Sequence, residues 1–161
     1  MKTLLRAVIL LLVTLWVGGV LFFPVVAATA FSTLPDTHVA GTVVRLCLRT
    51  LHAEGLFSGA LLVVLLLIAG ALRAYERTVV GPVSATLAML ALTAFSQYSI
   101  MPRMEVDRLA VGGAIDAAPV NDPHRLDFNR LHVASTRVEG GVLVAGVLLI
   151  VMLSRPPLRT R

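Results

Sequence analysis

Four histidines, His38, His52, His124 and His132, are the side chains of this sequence best equipped for chemistry, because an imidazole can hold a proton, a metal ion or a haem iron. Their spacing limits that chemistry. No two stand four apart on one helical face, and His124 and His132 are eight positions apart, so a metal centre would need ligands converging from separate elements. These four are the candidate ligands of a copper or haem group; the competing expectation needs no cofactor. His132, Ser135 and Glu139 offer a base, a hydroxyl and an acid within two turns. Neighbours on one helix face lie alongside each other instead of aiming at a common atom, and no sharp strand-to-helix turn surrounds Ser135, so catalysis by this set is not expected. Phosphate-binding loops, zinc spacings and GxSxG are absent from the sequence.

The elements that must position these residues are apolar. Of 161 residues, 57% are hydrophobic and only 14% charged, and four runs carry no charge at all: Ala7 to Pro35, Gly55 to Leu72, Thr78 to Pro102 and Gly140 to Ser154. In hydrocarbon, backbone amides can be satisfied only within a helix or a closed barrel, and about 20 apolar residues in a helix suffice to cross. The expectation is an all-α, polytopic membrane protein: one four-helix transmembrane domain over residues 1–161, with spans near 4–30, 54–72, 79–101 and 137–154 and amphipathic helices at the outer side. Lys2, Arg6 and the small residues Ala28-Thr29-Ala30 have the order of a secretory signal. The apolar run between them is roughly twice the ~7–15 residues of a signal core, so it is expected to stay as a span.

Charge sets the expected orientation. With the N-terminus inside, Lys2, Arg6, Arg73, Arg77, Arg155, Arg159 and Arg161 crowd the short inner segments beside the single acid Glu76. The other seven arginines face outwards with the remaining acids. Cation counts tie, so the expectation of both termini inside a bacterial cytoplasmic (inner) membrane rests on density near the helix ends. The net charge of +5 is thereby assigned to membrane flanks and not to nucleic acid. Cys47 is the sole cysteine, so no intramolecular disulfide is possible.

Along the chain, Asp36 after Leu34-Pro35 reads as a helix N-cap, and His38, Arg45, Arg49 and His52 then share a polar stripe. This segment either lies in the interface, snorkelling its arginines to lipid phosphates, or runs straight into Gly55. Gly55 and Gly59 form a small-xxx-small pair for close backbone approach, and Gly18 and Gly19 are expected at packing contacts. Pro82 fits the first turn of the third span. Gln97, the only long polar side chain in a span, should seek a partner on a neighbouring helix, and Tyr98 suits the outer interface. The stretch from Arg103 to Asn121 should be irregular or partly helical, and Asn121-Asp122-Pro123 marks a capped helix start. Arg103 is expected to pair with Asp127 or Glu139. Trp16, mid-span, is either a packing anchor against glycines or part of a ligand-lining wall.

Trp16-Val17-Gly18 with Phe22-Phe23 and Phe31, Leu34-Pro35 with Ala40-Gly41, Tyr98 with Met101-Pro102-Arg103, and Phe128 with Leu131-His132 and Ser135 follow one another in an order that spans nearly the whole chain. This set resembles a family of small four-helix membrane proteins catalogued as uncharacterised domain family four-one-four-nine, whose eukaryotic relatives are linked to drug resistance. A weaker likeness is to membrane domains of copper-resistance protein D. The resemblance implies the four-helix fold and a bacterial inner-membrane location, and supplies no reaction. The expected function is a non-enzymatic membrane module that binds a partner or small ligand between its outer helix ends through Trp16, Gln97, Tyr98, Arg103, Phe128 and His132. Its expected surroundings are the lipid bilayer and a membrane protein partner or second copy, without nucleic acid. The alternative is a metal- or haem-binding redox or export component of the copper-resistance D type.

Overall fold

A computed structural model describes residues 1–75 and 78–155. Glu76, Arg77, Arg159 and Arg161, used above for orientation, lie outside the described residues. Helix α1 spans Lys2–Thr33, α2 Thr37–Ala71, α3 Val80–Phe95, α4 Met101–Ala110 and α5 Pro123–Ser154. A single π turn over Ser96–Ile100 joins α3 to α4, so the third span is one helix from Val80 to Ala110. All four long helices are long and apolar enough to cross a membrane, and the chain is a membrane protein.

Each helix is cut by local chemistry. Asp36 caps α2 by accepting from the His38 N–H at 2.7 Å, and Asp122 caps α5 by accepting from His124 and Arg125 at 2.8 and 3.2 Å, with Pro123 in the first turn. The turn after α4 uses Gly112 and Gly113 at φ of 76° and 94°, a region closed to most side chains. Pro24 lies inside α1, which runs on to Thr33. The helix stops at Leu34-Pro35, just before the Asp36 cap read from the sequence. The helix of the third span, by contrast, runs past Met101-Pro102-Arg103. Pro102 stands at the start of α4, and the helix continues through Ala110.

The helices form a ring in the order α1, α2, α3, α5, with α5 closing against α1 and α4 lying on α5. Buried positions recur at intervals of three and four: Ile9, Val13, Trp16, Val17 and Val20 on α1; Gly55, Ser58, Gly59, Leu62, Leu66 and Ala69 on α2; Pro82, Thr86, Met89 and Thr93 on α3; and Val142, Gly146 and Leu149 on α5. That is the spacing of nearly parallel helix packing. Leu11, Leu21, Phe57, Leu67 and Val144 face outwards, where lipid is the solvent. The helices are 32, 35, 31 and 32 residues long. At 1.5 Å per residue they reach roughly 46–52 Å, well beyond a ~30 Å hydrocarbon core. The surplus forms a polar crown at the end distal to the termini. The amphipathic segments are the distal halves of α2 and α5, so the first of the two alternatives for His38–His52, the separate interfacial helix, is set aside.

At the terminal end, Arg6 donates to the Ala74 carbonyl and sits over the Tyr75 ring, 5.1 Å from its centroid, while Lys2 reaches the Arg73 carbonyl at 3.4 Å. The carbonyls freed where α2 ends, on Ile68, Ala69 and Gly70, accept from the N–H groups of Leu72, Ala74 and Arg73, and the cations at the start of α1 meet the carbonyls of the turn that follows.

Candidate functional site

The distal halves of three helices meet at one imidazole. His52, on α2, is 1% exposed, its Nδ1 stands 2.9 Å from Gln97 Oε1 of the π turn, and its Nε2 stands 2.8 Å from Glu139 Oε1 of α5. Gln97 thus finds its partner on a neighbouring helix. Measured from the helix ends on the side of the termini at 1.5 Å per residue, the three side chains lie roughly 23–29 Å along, so a ~30 Å hydrocarbon core beginning at those ends encloses them near its distal boundary. A π turn widens the helix by one residue, and such turns concentrate at working sites. Here it carries the amide that His52 needs.

The orientation of the Gln97 amide sets the hydrogen bonds of this layer. With its oxygen towards the ring, Nδ1 donates to Gln97, and Nε2 either donates to a Glu139 carboxylate or accepts from its protonated form. With the Gln97 amide turned over, its NH₂ donates to Nδ1 and a neutral ring donates from Nε2 to Glu139. Nearby on the buried face of the third span, Thr93 Oγ1 and Ser96 Oγ have no hydrogen-bond partner, although Thr86 in the same helix closes on the Pro82 carbonyl at 2.9 Å. Glu54, from another side of α2, accepts from Ser58 at 2.6 Å.

Trp16 belongs just beneath. Its indole fills the slot left by Gly55 and Gly59, one turn from His52 along α2. The glycine pair therefore admits a side chain, not a second backbone. Gly19 meets Leu51, whereas a side chain at Gly18 would find open space; the expected packing contact at Gly18 is absent.

The other expected residues stand apart from this layer. Tyr98 is 70% exposed on the outer wall of the third span. Arg103 and His132 are exposed, and Phe128 is half-buried and stacks on His132 with centroids 6.5 Å apart. Arg103 does not pair as expected. Asp127 is held by Arg130 at 3.3 Å, and Glu139 is taken by His52. The link between the third span and α5 is instead His124 to Asp107 at 3.0 Å. Exposed His38 lies by Gly113, and among the described residues no group of three or more His, Cys, Asp or Glu could hold a metal ion.

A family model described as Domain of unknown function (DUF4149) matches residues 11–106. The chain belongs to this family. The matched stretch holds Trp16, His52, Gln97 and the π turn, and ends before Glu139. The likeness to copper-resistance protein D is not shown. No curated protein and no solved structure matches the chain.

The His52–Glu139 pair was missed in the sequence. A signal for it exists: His52 and Glu139 both stand within a few residues of where an uncharged run begins, and Gln97 lies near where one ends. Alternating helix directions bring those three boundaries to one depth.

Proposed function

We propose that the protein is a non-enzymatic membrane module that binds a small ligand or partner at the distal end of its bundle, at the His52 layer. The observation that carries the reading is a buried imidazole bonded at both nitrogens to side chains of two other helices. An ionisable pair inside a span is costly to keep and marks a working site by default. A polar ligand group that bonds to one of the three side chains displaces a bond to another, which lets a single contact act on α2, the π turn and α5 together.

Binding fits better than conduction. Inward of the layer the bundle is filled mainly by Trp16, Val13, Leu62, Leu66, Met89 and Leu149, with no ionisable group and only the separated hydroxyls of Ser58, Thr86 and Thr93 among them. An enzymatic role has no support from Ser135, which is buried while His132 on its helix is exposed. We place the module in a bacterial cytoplasmic membrane with both termini inside, since Lys2, Arg6, Arg73 and Arg155 gather at the terminal end.

Trp16 is the sole tryptophan and lies one turn from His52, so its emission is a built-in probe. Purified protein titrated at one fixed pH with a set of small amphipathic amines and acids should show a saturable change in Trp16 fluorescence with at least one of them, absent in His52→Gln and weakened in Glu139→Gln. A flat wild-type trace with every probe, or the same change in His52→Gln, would sink the reading.

A further inference from the structure

Above the His52 layer, two arginines from different helices meet one carboxylate. Arg108 grips Glu105 with both edges of a bidentate pair, Nε to Oε2 at 2.9 Å and Nη2 to Oε1 at 2.7 Å, and its Nη1 donates to the Gly113 carbonyl at 3.1 Å. Glu105 is thereby neutralised within its own helix. Arg45 reaches across from α2 to the same carboxylate, Nη1 to Oε2 at 3.0 Å, and brings a surplus positive charge. Its Nε is shielded from solvent and has no partner. A guanidinium N–H left in that state lacks an acceptor; when the side chain, 35% exposed, turns its Nε–Nη2 edge outwards, that edge takes two oxygens of a phosphate side by side.

Depth and surroundings say where such an acceptor comes from. With the same helix ends at the edge of a ~30 Å core, the distal head groups occupy roughly 30–37 Å. Arg45, roughly 39 Å along α2 at 1.5 Å per residue, stands about 37 Å up at the usual ~20° tilt, at the outer margin of that layer. Val43 and Leu46 beside it on α2 are 39% and 53% exposed, and Val106 and Leu109 on α4 are 64% and 59% exposed. Apolar side chains thus flank a surplus cation at head-group depth.

We propose that Arg45 receives a phosphate group there, that of a phospholipid in the distal leaflet. Acyl chains lie along the flanking Val and Leu side chains, and the phosphate takes the free edge of the guanidinium. The site is separate from the His52 layer and does not depend on it.

The test is titration of the protein in neutral maltoside detergent with dioctanoyl phosphatidylglycerol, read by native mass spectrometry and by thermophoresis, with inorganic phosphate as a competitor. One saturable lipid is expected. Arg45→Gln should weaken it about tenfold, the loss of a charge-assisted hydrogen bond, and Arg130→Gln on the exposed crown should leave it unchanged. Glu105→Gln, which removes the carboxylate that competes for Arg45, should tighten it. Binding that ignores both Arg45→Gln and Glu105→Gln overturns the proposal, as does displacement of the lipid by inorganic phosphate, which would assign a soluble anion. If Arg45→Gln does not fold, Glu105→Gln decides alone: a gain supports the site, and a loss or no change removes it.

Discussion

The slot that holds Trp16 can be tested by adding a single methyl group. In Gly55→Ala a new Cβ would stand 2.8 Å from Trp16 Cδ1 and Cε2, and in Gly59→Ala it would stand 2.5 Å from Trp16 Cζ3 and 2.7 Å from Leu90 Cδ2. Carbon atoms rest at about 3.5–4.0 Å, so the indole must retreat by roughly 1 Å. It has nowhere to go, being 1% exposed and opposed by two glycines at once. Overpacking of this kind costs about 1–3 kcal/mol. Against that, alanine is favoured over glycine in a helix by up to ~1 kcal/mol. The propensity gain also applies to Gly18→Ala, where nothing lies within 4 Å of the new atom. The difference between the two substitutions therefore isolates the clash, and Gly55→Ala should be about 1–3 kcal/mol less stable than Gly18→Ala. The assay is reversible unfolding in mixed micelles by added dodecyl sulfate, with Trp16→Phe as the second arm of a double-mutant cycle. A smaller ring should recover a large share of the Gly55→Ala loss. Equal stability of Gly55→Ala and Gly18→Ala, or additivity with Trp16→Phe, would refute the argument.

Replacing His52 or Glu139 singly by Leu should cost about 1–3 kcal/mol by stranding the other polar group, while the double replacement should cost less than the sum; additive losses in the same unfolding assay would mean the pair is not coupled. Cys47, exposed on distal α2 and the only thiol, should react with a membrane-impermeant maleimide on intact spheroplasts. Labelling only after lysis would reverse the proposed orientation. Asp122→Ala loses two cap bonds and should lower stability by about 1 kcal/mol, more than Asp36→Ala, which loses one; thermal melts in detergent giving the opposite order would contradict the cap assignment.

The four spans, both aspartate caps and the place of Pro82 were legible because each depends on local composition: an uncharged run, an Asp two residues before a free N–H, a missing donor where none is needed. The extent of the third helix beyond its uncharged run was only half legible, as a stretch irregular or partly helical. Arg103 to Ala110 is charged, yet it stays helical because it continues an existing helix and lies against α5. The site was half legible. Gln97 announced a need for a partner, but the partner follows from ring order and relative depth, which no single segment encodes. Tyr98, one position on, turns to the outer wall because a helix swings about 100° per residue. Gly55 and Gly59 were legible as a place of close approach, and what approaches is an indole from α1, a pairing visible only once two helices are laid together.

The order in which the polar layer closes follows from the chain order of its members. As synthesis proceeds, α1 and α2 can seat Trp16 between the two glycines, but His52 then enters the bilayer with neither of its partners. Gln97 arrives with the third span, and Glu139 only with the last. Until the ribosome has delivered α5, the growing chain carries an unanswered imidazole near the membrane surface, and insertion of the final helix is the event that hides it.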